Sequence, residues 1–188
     1  DLPARAEAMA DYANACGARA LVMCPLNDGS PVAFDDLVAA LKAMRPILEQ
    51  RGLTGLVEPL GFPVSSLRSK AEAIRAIRAA GGEGTYRLVH DTFHHHLAGE
   101  TEVFADWTGL VHISGVTDPD VAVEAMLDPH RVLVDGADRL ENLPQIRALR
   151  DAGYAGPYSF EPFAPEVHDH PDPQAALADS IGHIRATL

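Results

Sequence analysis

Four short apolar segments of the sequence each end on a residue type that binds metal ions, namely Glu58, Asp91, His112 and Glu161. Because the carboxyl ends of parallel strands meet at one edge, we expect these four side chains to share one site. Three carboxylates and one imidazole suit one divalent ion, such as Mn²⁺, Zn²⁺, Mg²⁺ or Co²⁺. Buried carboxylates without a cation would be costly. One such residue alone is an ordinary strand end, but four in register predict a metal site.

Several histidines lie close to Asp91 in the sequence. His94 follows Asp91 by three residues, and its neutral imidazole could donate to a substrate hydroxyl or to a ligand carboxylate. His95 and His96 extend the run without a predicted role. His90 precedes Asp91, so strand alternation points it away from the metal and towards the layer between strands and helices.

Helical and strand-like segments alternate along the whole chain, and they must position these residues. Apolar spacing predicts helices over residues 2–15, 34–50, 66–80, 118–126, 140–152 and 173–187, with a short one after His94. Short apolar runs predict strands over residues 19–24, 53–58, 86–91, 109–114, 131–134 and 157–161. The alternation therefore predicts six βα units and a parallel sheet covered by helices.

A doubly wound open sheet fits the length, but ligand-type residues at successive strand ends favour a (β/α)₈ TIM barrel. A complete barrel usually needs about 250 residues, and this chain has 188. We therefore expect one partial TIM-barrel domain over residues 1–188, with two βα units missing at the N-terminus. Truncation, proteolysis and unresolved residues are the alternative explanations for the two missing units.

The composition is that of an ordinary globular domain, with 47% hydrophobic and 22% charged residues. A formal net charge of −12 argues against a nucleic-acid partner. No apolar run approaches the roughly 20 residues that span a bilayer, so no membrane partner is expected. Cys16 and Cys24 are expected to be reduced thiols, which favours the cytoplasm.

The strand-end segments resemble the xylose isomerase-like TIM-barrel superfamily of sugar isomerases and epimerases, and most closely its 2-keto-myo-inositol (inosose) isomerase branch. The motifs that carry the resemblance are Gly55-Leu-Val-Glu58-Pro59, Val89-His-Asp91-Thr-Phe-His94, Gly109-Leu-Val-His112-Ile-Ser and Gly153-Tyr-Ala-Gly-Pro-Tyr-Ser-Phe-Glu161. Together and in this order they are fairly specific, and the similarity covers nearly the whole chain.

The resemblance implies a metal-dependent enzyme that moves protons on a small sugar or cyclitol ketone. Glu58, Asp91, His112 and Glu161 occupy the positions of the family's metal ligands. Glu58 and Glu161 would also be the acid–base pair around an enediolate that the metal stabilises. His94 would contact the substrate. Arg131, which opens the predicted strand after Asp128-Pro-His130, would bind substrate oxygens, although its register differs by a residue or two from that of related epimerases.

Other activities use the same site or the same fold. An inosose dehydratase, a hydroxypyruvate isomerase or a ketose 3-epimerase would share the metal and the first proton transfer. A nuclease like endonuclease IV would hold three zinc ions, with Asp128, His130 and His94 as further ligands. Against it stand Cys24, where that group places a histidine, and the negative charge. A non-catalytic partial barrel is the remaining alternative, and pairing into a homo-oligomer would cover its open edge.

Overall fold

A computed structural model describes residues 2–188, which divide into two compact units, the first ending at Val89 and the second running from His90 to Leu188. The helices are α1 (Leu2–Ala15), α2 (Phe34–Glu49), α3 (Lys70–Ala79), α4 (Thr92–Ala98), α5 (Asn142–Asp151), α6 (Pro165–His168) and α7 (Pro173–Thr187). The strands are β1 (Ala20–Met23), β2 (Thr54–Val57), β3 (Tyr86–Asp91), β4 (Thr108–Ile113) and β5 (Tyr158–Phe160).

The first unit is built on parallel strands with helices between them. Strand β1 pairs with β2 so that Val22 lies beside Leu56, and β2 pairs with β3 so that Gly55 lies beside Tyr86. Helix α1 packs on α2, and α2 packs on α3 and β2. Helix α3 begins where the Ser69 side chain accepts a hydrogen bond from the backbone N–H of Glu72, a favourable N-cap.

Tyr86 fixes how the strands of this unit pack against helix α2. Its side chain is fully buried, and its hydroxyl donates to the carbonyl of Leu41 at 2.7 Å. The ring lies over Gly55 so closely that a Cβ there would be 2.5 Å from its Cδ1 atom. The absence of a side chain at Gly55 therefore lets an aromatic residue of β3 reach the helix.

The second unit pairs β4 with β5 in parallel, with Val111 beside Tyr158 and Ile113 beside Phe160. Helices α5, α6 and α7 follow in the chain. Its hydrophobic core consists of Val111, Ile113, Val134, Ile146, Leu149, Tyr154 and Ile184. Ser180 of α7 donates to the carbonyl of Val134 at 2.6 Å, and this hydrogen bond connects α7 to the loop that contains Val134.

The predicted strand over residues 131–134 does not form, so the described residues hold five strands in place of six. Strand β4 pairs directly with β5, and Val132 makes only an isolated antiparallel bridge with Gly115. Val134 is buried in the core cluster. The apolar run therefore reflects packing rather than strand pairing.

The predicted helix over residues 118–126 is also wrong, because only the 3₁₀ turn Val123–Ala125 forms there. Asp118 accepts a hydrogen bond from the N–H of Asp120, next to Pro119, and so starts a turn. The Arg139 guanidinium donates to the carbonyls of Asp118 and Val121. These carbonyls are thus satisfied without a helical ladder.

The remaining predicted elements form, with shifts of a few residues at their ends. The largest shift is at α3, which begins at Lys70 rather than at residue 66 because Ser69 caps it. Helix α4 begins at Thr92, before His94. In the described part of the chain, no helix combines the length and the apolarity needed to cross a membrane.

Candidate metal centre

Asp91 is the last residue of β3 and also the N-cap of α4. Its Oδ1 atom accepts hydrogen bonds from the backbone N–H groups of Phe93 at 2.8 Å and His94 at 3.2 Å. Its Oδ2 atom accepts from Nη2 of Arg131 at 2.6 Å. The side chain is fully buried. The N-cap interaction therefore fixes the carboxylate, with its second oxygen facing Arg131.

His112 and Glu161 come from the two neighbouring strand ends. His112 lies near the end of β4, and Glu161 directly follows β5, where its N–H donates to the carbonyl of Ile113 at 2.9 Å. The Nδ1 atom of His112 lies 3.2 Å from Oε2 of Glu161 and 4.0 Å from Oδ2 of Asp91. The His112 side chain is 9% exposed and that of Glu161 is 30% exposed.

These three side chains fit a divalent cation. Each offers one ligand atom, and the ligand atoms lie within 4.8 Å of one another. Ligands of a transition metal bind at about 2.0–2.2 Å, so neighbouring ligand atoms are expected a little over 3 Å apart. The 3.2 Å between His112 and Glu161 meets that requirement, and the 4.0 Å between His112 and Asp91 is somewhat longer. One imidazole with carboxylates is a usual donor set for Mn²⁺, Zn²⁺ or Co²⁺.

Arg131 supplies the positive charge nearest to these carboxylates. Its Nη2 atom donates to Oδ2 of Asp91 and to Oε2 of Glu161, the latter at 2.9 Å. Burial alone would raise the pKa of Asp91, but the charges of Arg131 and then His94 hold that pKa well below its usual range. Burial opposes the charge on Arg131, yet Asp91 and Glu161 raise the pKa of its guanidinium. The carboxylate of Asp91 is therefore ionised at neutral pH.

Glu58, the remaining predicted ligand, belongs to the first unit. It follows β2, and its N–H donates to the carbonyl of Met23 at 3.0 Å. Only 3% of the residue is exposed, and its Oε2 atom accepts from the thiol of Cys24 at 3.5 Å. The structure thus places a buried carboxylate at the carboxyl end of β2, as the sequence predicts.

The histidines near Asp91 occupy different environments. His94 is buried, and its ring meets that of Phe93 edge to face at 5.2 Å between centroids. His90 is fully buried, and its Nε2 atom lies 2.9 Å from Oε1 of Gln145 on α5. This contact agrees with the prediction that His90 faces the helical layer.

Two of the three further ligands that a three-zinc nuclease would require, Asp128 and His130, contact other groups. Oδ1 of Asp128 accepts from Nη1 of Arg131 at 3.3 Å, and Nδ1 of His130 accepts from the N–H of Leu127 at 2.9 Å. Among residues 2–188, neither belongs to a cluster of at least three ligand-type side chains.

Three residues of the centre were not predicted from the sequence. Ser114 accepts from Nε of Arg131 at 2.9 Å, and the rings of Phe93 and Phe163 each lie 4.9 Å from the guanidinium carbon. Strand alternation offers a signal for Ser114, because it lies two residues after His112 and so faces the same side. The stacking of the two rings depends on long-range contacts that no local pattern reveals.

The site and the parallel strands agree with a comparison of the sequence with known families. Residues 3–187 match the model of the xylose isomerase-like TIM barrel family. The chain therefore belongs to this family, and the predicted α/β class and partial barrel are confirmed, with five strands in place of six.

Solved structures support the same assignment. A xylose isomerase domain-containing protein of Salmonella typhimurium LT2 is 38% identical with a TM-score of 0.88, and the match covers 97% of this chain and 67% of that one. The IolI protein, crystallised with a zinc atom, is 20% identical with a TM-score of 0.78 over 98% of this chain and 66% of its own. The D-psicose 3-epimerase of Clostridium cellulolyticum H10, solved with D-tagatose, is 16% identical with a TM-score of 0.70, over 97% of this chain and 70% of that one.

The last two similarities show the shared fold alone. The chain spans about two thirds of the length of the first two structures that it matches. No curated protein is significantly similar to it in sequence.

Proposed function

We propose that the protein is a divalent-metal-dependent isomerase or epimerase that acts on a small polyhydroxy ketone, an inosose or a ketose. The observation that carries this proposal is the convergence of ligand atoms from Asp91, His112 and Glu161. Structures of the same fold include a zinc-bound protein and a ketose epimerase. The donor set and the fold together favour proton transfer on a sugar-like substrate.

In this proposal Asp91, His112 and Glu161 hold the metal together with Glu58. Glu58 joins them because it is a buried carboxylate at the carboxyl end of its strand and would be costly to bury without a cation. When bound, a divalent ion supplies positive charge that stabilises the developing charge on the substrate oxygens. Mn²⁺, Zn²⁺, Mg²⁺ and Co²⁺ all suit these ligands.

Glu161 is the proposed base, and Glu58 is the proposed partner that returns the proton. Three hydrogen bonds fix the buried Asp91 carboxylate, whereas the Glu161 side chain bonds Arg131 through Oε2 and is 30% exposed, so it can still face a substrate carbon. His94 and Arg131 are proposed to contact substrate oxygens, as N–H donors suited to hydroxyl and carbonyl groups.

The test is hydrogen exchange at carbon. The protein is loaded with Mn²⁺ in D₂O and offered inososes, ketohexoses and hydroxypyruvate, and deuterium incorporation is followed by NMR. We expect incorporation next to the carbonyl of one substrate class, and the reaction product then separates isomerisation from loss of water. Failure to incorporate deuterium into any substrate would refute the proton-transfer function.

Glu161→Gln tests whether Glu161 takes part in the exchange. The amide keeps the shape of the side chain but cannot accept the proton, so exchange should fall by about 100-fold or more, while circular dichroism stays unchanged. Glu166→Gln, an exposed carboxylate on α6, is the matched control and should exchange like the wild type. Wild-type exchange in Glu161→Gln would remove Glu161 from the mechanism.

A further inference from the structure

Arg131 lies in the loop between β4 and α5, and only 1% of its side chain is exposed. We infer that Arg131 is a positioning residue that fixes the spacing of the Asp91 and Glu161 carboxylates, an inference that rests on the proposed function. The two carboxylates lie at the ends of different strands, Asp91 as the last residue of β3 and Glu161 directly after β5, so their separation is not set by one local backbone segment. A single nitrogen, Nη2, bridges them, with distances of 2.6 and 2.9 Å to its two acceptors.

The bridged atoms are the same oxygens that face His112. Oε2 of Glu161 lies 3.2 Å from Nδ1 of His112, and Oδ2 of Asp91 lies 4.0 Å from it. A carboxylate oxygen has two lone pairs, so it can accept from Arg131 and still bind a cation. Arg131 thus contacts both of the oxygens that a cation beside His112 would bind.

Hydrogen bonds and aromatic rings also hold the Arg131 guanidinium in place. Its Nε donates to Oγ of Ser114, and the rings of Phe93 and Phe163 lie on it at 4.9 Å each. The carbonyl of Arg131 accepts from the N–H groups of Phe163 at 2.9 Å and Ala164 at 2.8 Å. The position of Nη2 is therefore determined by packing and hydrogen bonds rather than by the carboxylates alone.

The distribution of its donors favours positioning as the main role. A guanidinium has five N–H donors, and the hydrogen bonds to Ser114, Asp91, Glu161 and Asp128 use four of them. One N–H of Nη1 is left for a substrate oxygen. Arg131 therefore acts on the substrate mainly through the carboxylates that it orients.

Lysine cannot take over this role, because an ammonium group lacks the planar fork that reaches Ser114 and both carboxylates at once. Loss of the bridge should affect Glu161 more than Asp91, since Asp91 keeps its two backbone donors. The expected result is a weaker and differently shaped metal site in a protein that still folds.

The experiment measures Mn²⁺ affinity by electron paramagnetic resonance and the visible spectrum of the Co²⁺-loaded protein. Arg131→Lys should lose about 10–100-fold in Mn²⁺ affinity, the usual effect of removing a residue that orients metal ligands, and its Co²⁺ spectrum should change. Ser114→Ala keeps the guanidinium and its charge but removes its anchor, so it should show a smaller loss in the same direction. Arg139→Lys, which changes an arginine bonded only to backbone carbonyls of the same loop, should match the wild type.

The outcomes separate the two proposals. If folded Arg131→Lys and Ser114→Ala bind Mn²⁺ with wild-type affinity and give the wild-type Co²⁺ spectrum, the positioning role is wrong and the proposed metal site stands. If Arg131→Lys fails to fold, Ser114→Ala decides by the same readouts. If the wild type binds no Mn²⁺ or Co²⁺, the proposed function fails, and this inference fails with it.

Discussion

Asp91 and Glu161 are the same kind of acceptor in different surroundings. Asp91 is fully buried and receives two backbone donors and Arg131, whereas Glu161 is 30% exposed and contacts Arg131 and His112. A buried carboxylate that neutralises a buried guanidinium contributes to folding as well as to the site, because neither charge could remain there alone. The Glu161 carboxylate also bonds Arg131, but it is partly solvated, so its charge depends less on that partner, which suits a group that must move a proton.

This difference predicts unequal costs of neutralisation. In EDTA, Asp91→Asn should lower the free energy of unfolding by about 3–5 kcal/mol, because Arg131 loses its shortest ion pair inside the protein. Glu161→Gln should cost about 1 kcal/mol or less, since its side chain is partly solvated. Urea titrations of both variants and the wild type measure the difference. Equal losses would show that burial does not distinguish the two carboxylates.

Among the elements, the strand pairing in the first unit depends on a glycine. A Cβ at Gly55 would lie 2.5 Å from the Tyr86 ring and 2.9 Å from Cδ1 of Leu48. Tyr86 cannot move away easily, because its hydroxyl is bonded to the carbonyl of Leu41. Gly55→Ala should therefore destabilise the protein by about 1–3 kcal/mol through overpacking. The urea midpoint measures this effect, and a double variant with Tyr86→Leu should regain part of the loss if the ring is the cause.

The turn between α5 and β5 predicts a pH dependence. Burial, and then the neighbouring Tyr158, raises the pKa of Tyr154 to about 12. Its neutral hydroxyl donates to the carbonyl of Pro157 at 2.7 Å. Because the unfolded chain ionises its tyrosines near pH 10, the stability that Tyr154 contributes is complete below pH 10 and is lost between about pH 10 and pH 12.

Tyr154→Phe isolates this contribution. At pH 8 the variant should be less stable by about 1 kcal/mol, the usual net value of a hydrogen bond. The gap should narrow as the pH rises above 10, since only the wild type loses the contribution of the neutral hydroxyl. Urea midpoints at several pH values give the comparison. A gap that stays constant up to pH 11.5 would contradict the raised pKa.

The sequence predicts the strand ends well for a physical reason. A short apolar run that stops at a polar residue marks both the strand and the edge where its last side chain emerges, as at His112 and Glu161. The conformation of residues 115–141 could not be predicted in this way. Arg139 donates to the carbonyls of Asp118 and Val121, and Asp138 accepts from the N–H groups of Val116 and Asn142. Such contacts between residues distant in sequence override local periodicity.

The role of Arg131 illustrates the same limit. The resemblance to related epimerases suggests an arginine near this position, but not its contacts. Those contacts come from the end of β3, from Ser114 directly after β4 and from the segment after β5, which the chain brings together only on folding. The sequence therefore predicts which residue types the site contains, and the structure supplies how they constrain one another.

At the scale of the whole molecule, measurements of stability have to allow for the net charge and for exposed apolar surface. Strand β1 pairs with β2. A groove of about 600 Å³ at β1 is lined in part by exposed apolar residues, namely Met9 (58% exposed), Val22 (42%) and Leu26 (54%). Among the strands that the structure describes, β1 lies at the edge of the sheet, and exposed apolar surface next to an edge strand favours association of copies. Stability comparisons therefore require one fixed protein concentration.

The proposed metal site predicts that a divalent cation stabilises the whole protein. An ion that binds only the folded state raises the unfolding free energy by about 2.7 kcal/mol at 100 times its dissociation constant. For a chain of this size, that gain corresponds to roughly 5–10 °C in Tm. A protein with a net charge of −12 also attracts cations without a specific site. The decisive comparison is therefore between variants at fixed ionic strength.

Thermal unfolding with increasing Mn²⁺ makes this comparison. The wild type should gain stability in proportion to the logarithm of Mn²⁺ concentration, and His112→Gln should lose most of the gain because it removes a ligand. Asp11→Asn, which removes an exposed carboxylate bonded to Arg51 at 2.6 Å, should keep the full gain. An equal gain in all three proteins would mean that Mn²⁺ acts through the net charge, since only a specific site distinguishes His112 from a surface acid.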